Sequence, residues 1–442
     1  MELPRGMKDF EQDELEKIEL VRTKFLETSK LFGFKRIEPS PIELLSTLEA
    51  KSGSAIRDEI YYFKDKGERE VALRFDFTVG LTRYVASQKS LKLPAKISSF
   101  GGVWRYDEPQ KGRYRFFHQW NIEIYGKPSI ESEAEVIEFT SRLFDALQLE
   151  HIIIDINHRN LVESYIKRVF QTDDKATVSD ILRAVDKISK KSKNEILSEY
   201  QKKGYSKGNL EKILEFSNIK GTSQEVKQKL TSNLSNLSNS AIFGNDVESS
   251  WLHLQNLWDS LQNRDVKNIR INFGIVRGLD YYSGMVFEVF DEKSDLGALA
   301  GGGRYDSLAK AFGREDLGAT GVAGGVERII LTMEKQEKIT KVDLLKLVYV
   351  LYANDEMQKK AMNVASQLRQ KGISVYIDLT GKSLKKQMEL ASNSEFAVIV
   401  APQESYLNLI RLRNMITHQE EPMSIIELLS KLHSYFKSQR PE

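Results

Sequence analysis

Apolar residues at Leu15, Ile18, Val21 and Phe25 fall three or four positions apart with charges between them, and Leu26 adjoins the last. That spacing predicts an amphipathic helix from about residue 11 to 32, closed by Gly33. A strand is expected at 34–38, before the break Pro39-Ser40-Pro41. Residues 69–77 alternate charged and apolar side chains, as a half-buried strand would. Helical periodicity returns over 131–149, and 152–156 reads as a β-branched strand.

The stretch 99–126 carries the most chemistry. It reads as a strand bearing Arg105, a polar loop turning at Pro109 and Gly112, and a second strand over 115–125. Side chains in a strand repeat every two residues, so Phe117, Gln119, Asn121 and Glu123 share one face. An amide and a carboxylate on one face, beside an arginine-rich loop, suit a small zwitterion next to a polyphosphate. The same pattern equally suits a hairpin whose polar face is simply wet.

From 161 to 258 the chain turns lysine- and serine-rich and largely helical in pattern, with the polar run 231–240. It reads either as an inserted helical domain or as helices of one continuous core. Strand alternation resumes over 269–290 around an Arg-Gly-Leu-Asp turn. A charged segment, 334–344, reads as a linker. Beyond it, strands at 347–352, 373–377 and 396–401 alternate with helices at 356–371 and 383–392. That order implies a compact α/β domain with a largely parallel sheet. It holds no nucleophile–base pair, so a binding role is expected.

Composition narrows the classes. At roughly 150 residues per domain, 442 residues allow several domains. With 65 basic and 63 acidic residues the net charge is only +2, so no broad positive field marks a protein that coats nucleic acid. The chain has no cysteine, which excludes disulfides, thiolate zinc sites and cysteine nucleophiles. The six histidines lack metal-ligand spacing. The N-terminal decapeptide lacks the apolar core of a signal peptide, and no run approaches the ~20 apolar residues of a membrane span. A cytoplasmic location is expected.

Four patterns carry a family resemblance. Residues 100–119, Phe-Gly-Gly-Val-Trp-Arg-Tyr-Asp-Glu-Pro-Gln-Lys-Gly-Arg-Tyr-Arg-Phe-Phe-His-Gln, resemble motif 2 of the class II aminoacyl-tRNA synthetases. Arg277-Gly-Leu-Asp-Tyr-Tyr-Ser-Gly-Met-Val-Phe-Glu288 and Gly301-Gly-Gly-Arg-Tyr-Asp306 resemble the two signature peptides of the histidyl-tRNA synthetases. Gly318-Ala-Thr-Gly-Val-Ala-Gly-Gly-Val-Glu-Arg328 resembles motif 3, and Pro41-Ile-Glu43 the looser motif 1. The C-terminal segment is similar to the anticodon-binding domain shared by the histidyl, prolyl, threonyl and glycyl enzymes.

This resemblance implies an α+β catalytic domain on a mixed, mainly antiparallel sheet flanked by helices, interrupted by a helical insertion and followed by a C-terminal α/β anticodon-binding domain. The implied boundaries are 1–160 and 259–333 for the catalytic domain, 161–258 for the insertion, 334–344 for the linker and 345–442 for the anticodon-binding domain. It also implies activation of histidine by ATP and transfer to tRNA(His) by a homodimer built on motif 1. Mg²⁺ would be held mainly by the phosphates, with no metal site in the protein and no membrane or DNA partner.

The implied roles follow residue by residue. Arg105 matches the arginine bridging the α-phosphate and the substrate carboxylate, and Arg277 a second arginine at the α-phosphate, where relatives use a metal ion. Arg113 and Arg328 match positions at the β/γ-phosphate end, Phe117 an aromatic stacked on adenine, and Asp107 an adenine contact. Glu123 and Tyr282 match the pair facing the two imidazole nitrogens, with Tyr281 beside them. Asp76, Thr78 and Gln119 match residues holding the α-amino group.

Some positions depart from the family pattern. Asp107 replaces a common glutamate, Phe75 and Asp76 look closer to archaeal and eukaryotic members, and Gly80 replaces a proline frequent there. Trp120 and Asn121 replace small residues, so that Trp120 either narrows the histidine pocket or points into the core. The main rival is a regulatory paralogue without catalysis. Such chains typically lose the signature arginine or the anticodon domain, and Arg105, Arg277, Arg328 and a C-terminal domain are all present here. Another class II synthetase is opposed by Arg277–Tyr282, and a pure RNA-binding protein would need no ATP motifs.

Overall fold

The computed structural model describes residues 2–108, 114–188, 191–234, 245–276, 282–339, 347–392 and 394–438. Pro109, Gly112 and Arg113 of the hairpin loop, 277–281, the polar run beyond 234 and 340–344 of the linker lie outside the described residues. The chain divides into two compact units, Met1–Ile339 and Thr340–Glu442.

The first unit is organised by a sheet with nine described strands. In spatial order they are Lys35–Arg36, Ala95–Trp104, Phe116–Gly126, Gly318–Gly325, Ala300–Arg304, Met285–Asp291, Ile152–His158, Ile269–Asn272 and Lys220–Gly221. Pairing is antiparallel except at Lys35–Arg36 against Ala95–Trp104 and at Ile152–His158 against Ile269–Asn272. Neighbouring parallel strands cannot be joined by a tight turn. Here the crossover is the helical stretch from Arg159–Phe170 to Asn245–Asn263, and its strand Lys220–Gly221 adds itself to the sheet edge.

Helices cover one face. Gln12–Leu31 buries Ile18, Val21 and Phe25 as its spacing predicts, while Leu15 stays exposed. Ile130–Ala146 starts where the Ser129 hydroxyl accepts the amide of Ser132 at 3.1 Å, and buries Val136, Ile137 and Phe139. Trp120 packs between Phe25 and Phe139 on this covered face. Of the two orientations open to it, the core is the one realised. Residues of the helical crossover, among them Ile181, Tyr200 and Leu257, belong to the same apolar cluster as Ile154 and Phe287.

One expected strand is shorter than its alternation suggested. The strand ends at Leu73, and Thr78–Ser87 is a helix. The cause is local: Asp76 Oδ1 accepts the amide of Val79 at 3.3 Å, satisfying an otherwise orphan donor of the first turn. Asp76 and Thr78 therefore flank a strand-to-helix corner and do not share a strand face.

The second unit carries a sheet in the order Val375–Ile377, Val348–Tyr352, Phe396–Val400, Ile410–Asn414 and Glu420–Met423. The first three are parallel and the last two antiparallel. Its own core gathers Val350, Leu368, Val398 and Leu432. Asp355–Gln370 is capped by Asn354, whose side-chain oxygen accepts the amide of Met357 at 3.1 Å. No described helix is long and apolar enough to cross a membrane.

Candidate active site

Arg105 follows directly on the strand Ala95–Trp104, its amide bonded to the Arg115 carbonyl at 2.8 Å. Its guanidinium is held from two sides. Nε donates to the Phe75 carbonyl at 3.0 Å and Nη2 to Gln119 Oε1 at 3.2 Å, while the Phe117 ring centroid lies 5.1 Å away. Arg105, Asp107, Phe117, Gln119 and Arg328 line one cavity of about 760 Å³. Gly301 and Gly325, from two different strands, also line it, and a side chain at Gly325 would meet only open space, which leaves room for a ligand of nucleotide size. Glu288, Glu327 and Asp186 of the helical crossover also line it.

Behind Arg105 the expected strand face becomes a buried chain of hydrogen bonds. Gln119 Nε2 donates to Asn121 Oδ1 at 2.6 Å, and Asn121 Nδ2 donates to Glu123 Oε1 at 3.2 Å and Thr78 Oγ1 at 3.3 Å. Thr78 Oγ1 donates to the same Glu123 oxygen at 2.8 Å, and the Tyr305 hydroxyl donates to the other. Glu123 is 1 % exposed and Asn121 0 %. A carboxylate buried this deeply needs such donors to replace the water it has lost. Burial beside Glu123 pushes the phenols of Tyr305 and Tyr125 well above their ordinary range. Thr82 bridges from the Thr78 carbonyl to the Tyr125 hydroxyl, closing the back of the pocket.

Glu123 owes its room to Gly321. The two are cross-strand partners, and a Cβ at 321 would overlap the Glu123 carboxylate. Three positions further along the same strand, Gly324 leaves space for the Trp120 indole on the opposite face.

The sequence-based site residues thus divide into two connected sets. Arg105, Asp107, Phe117 and Arg328 meet at the cavity; Thr78, Gln119 and Glu123 form the buried chain, with Gln119 common to both. Tyr282 packs in the apolar cluster with Tyr305 and Tyr125. Asp76 holds the corner beside Thr78. Arg113, Arg277 and Tyr281 lie outside the described residues.

Several participants went unassigned by sequence reading. Tyr305 was visible in the Gly-Gly-Gly-Arg-Tyr-Asp peptide, but nothing local aims it at Glu123. Glu327 binds the His118 amide and its Nδ1, pinning the helix Val326–Lys335 to the strand Phe116–Gly126. Segment 5–10 braces the hairpin: the Arg115 amide donates to the Gly6 carbonyl at 2.9 Å, and Phe10 packs edge-on against Phe116 and His118.

A second buried cluster backs the signature peptides. Glu133 accepts from Arg304 Nη1 at 3.1 Å and pairs with His253 Nε2 at 2.5 Å, while Arg304 Nε also bonds Asp306 at 2.8 Å. His158 stacks edgewise on His253, and burial beside that ring and Arg304 depresses its pKa from 6.5 to about 3. The unfolded chain therefore takes up this proton first. Stability from His158 is full above about pH 6.5 and is lost as pH falls toward 3. Between pH 7 and 5 this group should cost about 2 kcal/mol. Denaturant titrations at the two pH values should show that difference shrinking by the same amount in His158→Gln.

A mainly antiparallel sheet carrying an open, arginine-lined cavity, with a separate α/β unit after it, is the architecture of the class II aminoacyl-tRNA synthetases. The histidyl-tRNA synthetase family model matches residues 6–329, and the model described as an anticodon binding domain matches 347–435. The chain is 32% identical to the histidine–tRNA ligase of Pyrococcus furiosus over 99% of this chain and 100% of that one. It is 31% identical to that of Pyrococcus horikoshii over the same shares. The fold superposes on the crystal structure of histidyl-tRNA synthetase from Nostoc sp. PCC 7120 with a TM-score of 0.79 at 23% identity, covering 99% of both chains. The chain belongs to the histidyl-tRNA synthetase family, enzymes that ligate histidine to tRNA.

Proposed function

We propose that the cavity binds ATP, that the buried chain ending in Glu123 selects histidine, and that Arg105 stands where the two react. The observation that carries this is the continuous path from Arg105 at the cavity wall, through Gln119 and Asn121, to a fully buried carboxylate. The histidine carboxylate attacks the α-phosphorus in line; a carboxyl–phosphorus bond forms and pyrophosphate leaves. A ribose hydroxyl at the tRNA 3′ end then attacks the acyl carbon, and AMP leaves. The attacking carboxylate is already ionised, so the first step needs positioning and charge neutralisation rather than a base.

Arg105 and Arg277 neutralise charge at the α-phosphate, Arg113 and Arg328 hold the β/γ end, Phe117 stacks on adenine and Asp107 contacts it. Glu123 and Tyr282 take the two imidazole nitrogens, with Tyr281 beside them; Asp76, Thr78 and Gln119 hold the ammonium. A site built to bond both ring nitrogens rejects apolar isosteres, because these would leave its buried groups unpaired. Mg²⁺ enters with the nucleotide. The phosphates would mainly hold it; Glu288 in the cavity wall is a hard oxygen donor of the kind magnesium takes, usually through its waters, and the ion would neutralise the β and γ phosphates.

The division into a catalytic domain at 1–160 and 259–333, an insertion at 161–258, a linker at 334–344 and an anticodon-binding domain at 345–442 belongs to the same reading. Its support is that strands from both sides of the insertion share one sheet, while the C-terminal unit has its own core. A chain ending at residue 339 is expected to keep histidine-dependent pyrophosphate exchange while losing about 10²-fold in kcat/KM for tRNA, in line with the loss of a binding surface. Homodimerisation is supported by the exposure of Ile42 in motif 1 and of Leu44 just after it, and sedimentation equilibrium tests it.

The direct test is ATP–pyrophosphate exchange screened over all twenty amino acids. Exchange with histidine alone is expected. No exchange with any amino acid would overturn the catalytic reading in favour of a regulatory paralogue.

A further inference from the structure

Asn121 stands between two groups with opposite charge. Its strand alternates so that Gln119, Asn121 and Glu123 share a face, and all three are buried. An asparagine side chain offers two N–H donors and one carbonyl acceptor, and here all three functions are used. The donors go to Glu123 Oε1 at 3.2 Å and Thr78 Oγ1 at 3.3 Å, and the acceptor takes Gln119 Nε2 at 2.6 Å. The direction of the whole chain follows from its ends. A carboxylate accepts only, so the Asn121 amide must turn its nitrogen toward Glu123 and its oxygen toward Gln119. Gln119 must then present its own oxygen to Arg105, which donates only, at 3.2 Å.

We propose that Asn121 is a positioning and specificity residue that aims the histidine-selecting carboxylate and, through Gln119, the reacting-end arginine. This rests on the reading of Glu123 and Arg105 given above. Asn121 itself is fully buried and does not line the cavity, so it acts through its neighbours. Its nitrogen fixes one oxygen of Glu123 while Tyr305 fixes the other, so that the carboxylate plane has one orientation in the pocket. Its oxygen fixes the Gln119 amide, so that Arg105 is held by an acceptor rather than pushed away by an N–H. No spacer of the glycine or alanine kind could do this, because neither carries a donor or an acceptor.

Two substitutions separate the two arms. Asn121→Asp keeps an acceptor for Gln119 but removes the donor to Glu123 and sets a second carboxylate beside it. Asn121→Leu is similar in volume and removes both arms. The measurement is pyrophosphate exchange by the full-length protein, with histidine and ATP varied in turn. Asn121→Asp should raise the histidine KM about 30-fold, with kcat within about threefold and the ATP KM unchanged, as expected for a lost bond to a charged group. Asn121→Leu should raise the histidine KM to a similar extent and lower kcat about tenfold further, because Gln119 is released as well. Asn121→Ala, which only removes atoms, serves where leucine prevents folding.

A histidine KM within threefold of wild type in these variants overturns the proposal. So does an equal rise in both KM values accompanied by a lowered Tm, which marks a merely structural role. Glu123→Gln run alongside separates the two levels. If it raises the histidine KM and the Asn121 variants do not, only the role of Asn121 falls. If it too leaves the histidine KM unchanged, the reading of the pocket falls and the proposal with it.

Discussion

Replacing Arg105 by alanine is expected to lower histidine-dependent pyrophosphate exchange by about 10³-fold in kcat, the scale of one preorganised charge-stabilising group. The histidine KM should move by less than about tenfold, because charge on the α-phosphate oxygens grows mainly in the transition state. The guanidinium is fixed by the Phe75 carbonyl and Gln119 before any ligand arrives, so little reorganisation is left for the moment of reaction. Arg105→Lys should recover little of the loss. A lysine gives a point charge on a flexible stem and cannot bond both partners in one plane. Single-turnover measurement of adenylate formation checks this directly. A proportional loss in histidine binding and in rate would remove Arg105 from the reacting centre and leave it a ground-state contact.

Gly321→Ala is expected to abolish histidine selection with one methyl group. The added Cβ would occupy the space of the Glu123 carboxylate across the strand pair. Strand Gly318–Gly325 is held between two neighbours, so the backbone cannot easily yield and the side chain must. Moving Glu123 breaks its bonds to Thr78, Asn121 and Tyr305 together. The histidine KM should rise at least about 10²-fold, while the ATP KM, set by groups at the cavity, changes little. Overpacking of this kind also costs about 1–3 kcal/mol in stability, which thermal unfolding reports separately. A normal histidine KM in a folded Gly321→Ala protein would show that Glu123 need not occupy its present position.

Both expectations depend on residues that differ in how legible they were. Gln119, Asn121 and Glu123 could be placed on one face from the sequence, because the two-residue repeat of a strand is a property of the local backbone. The helix Gln12–Leu31 was legible for the same reason, through a repeat set by its own geometry. The strand-to-helix corner at Asp76 and Thr78 was not. Alternation over 69–77 looked like one continuous strand, but the strand ends at Leu73 and the chain turns into a helix at Thr78, where Asp76 accepts the amide of Val79. The direction of Trp120 was open until the helices Gln12–Leu31 and Ile130–Ala146 supplied the apolar face it fills.

By itself, then, the sequence determined the strand face, the first helix, the order of the motifs and the family they define, since these rest on neighbours along the chain. Only the tertiary structure decided that Tyr305 reaches Glu123 from 182 residues away, that Gly321 makes room for that carboxylate, and that Asn121 joins Gln119 to it. Those contacts follow from which strands pair and in what register. Pairing is chosen by the burial of surfaces distant in sequence, and no local repeat encodes it.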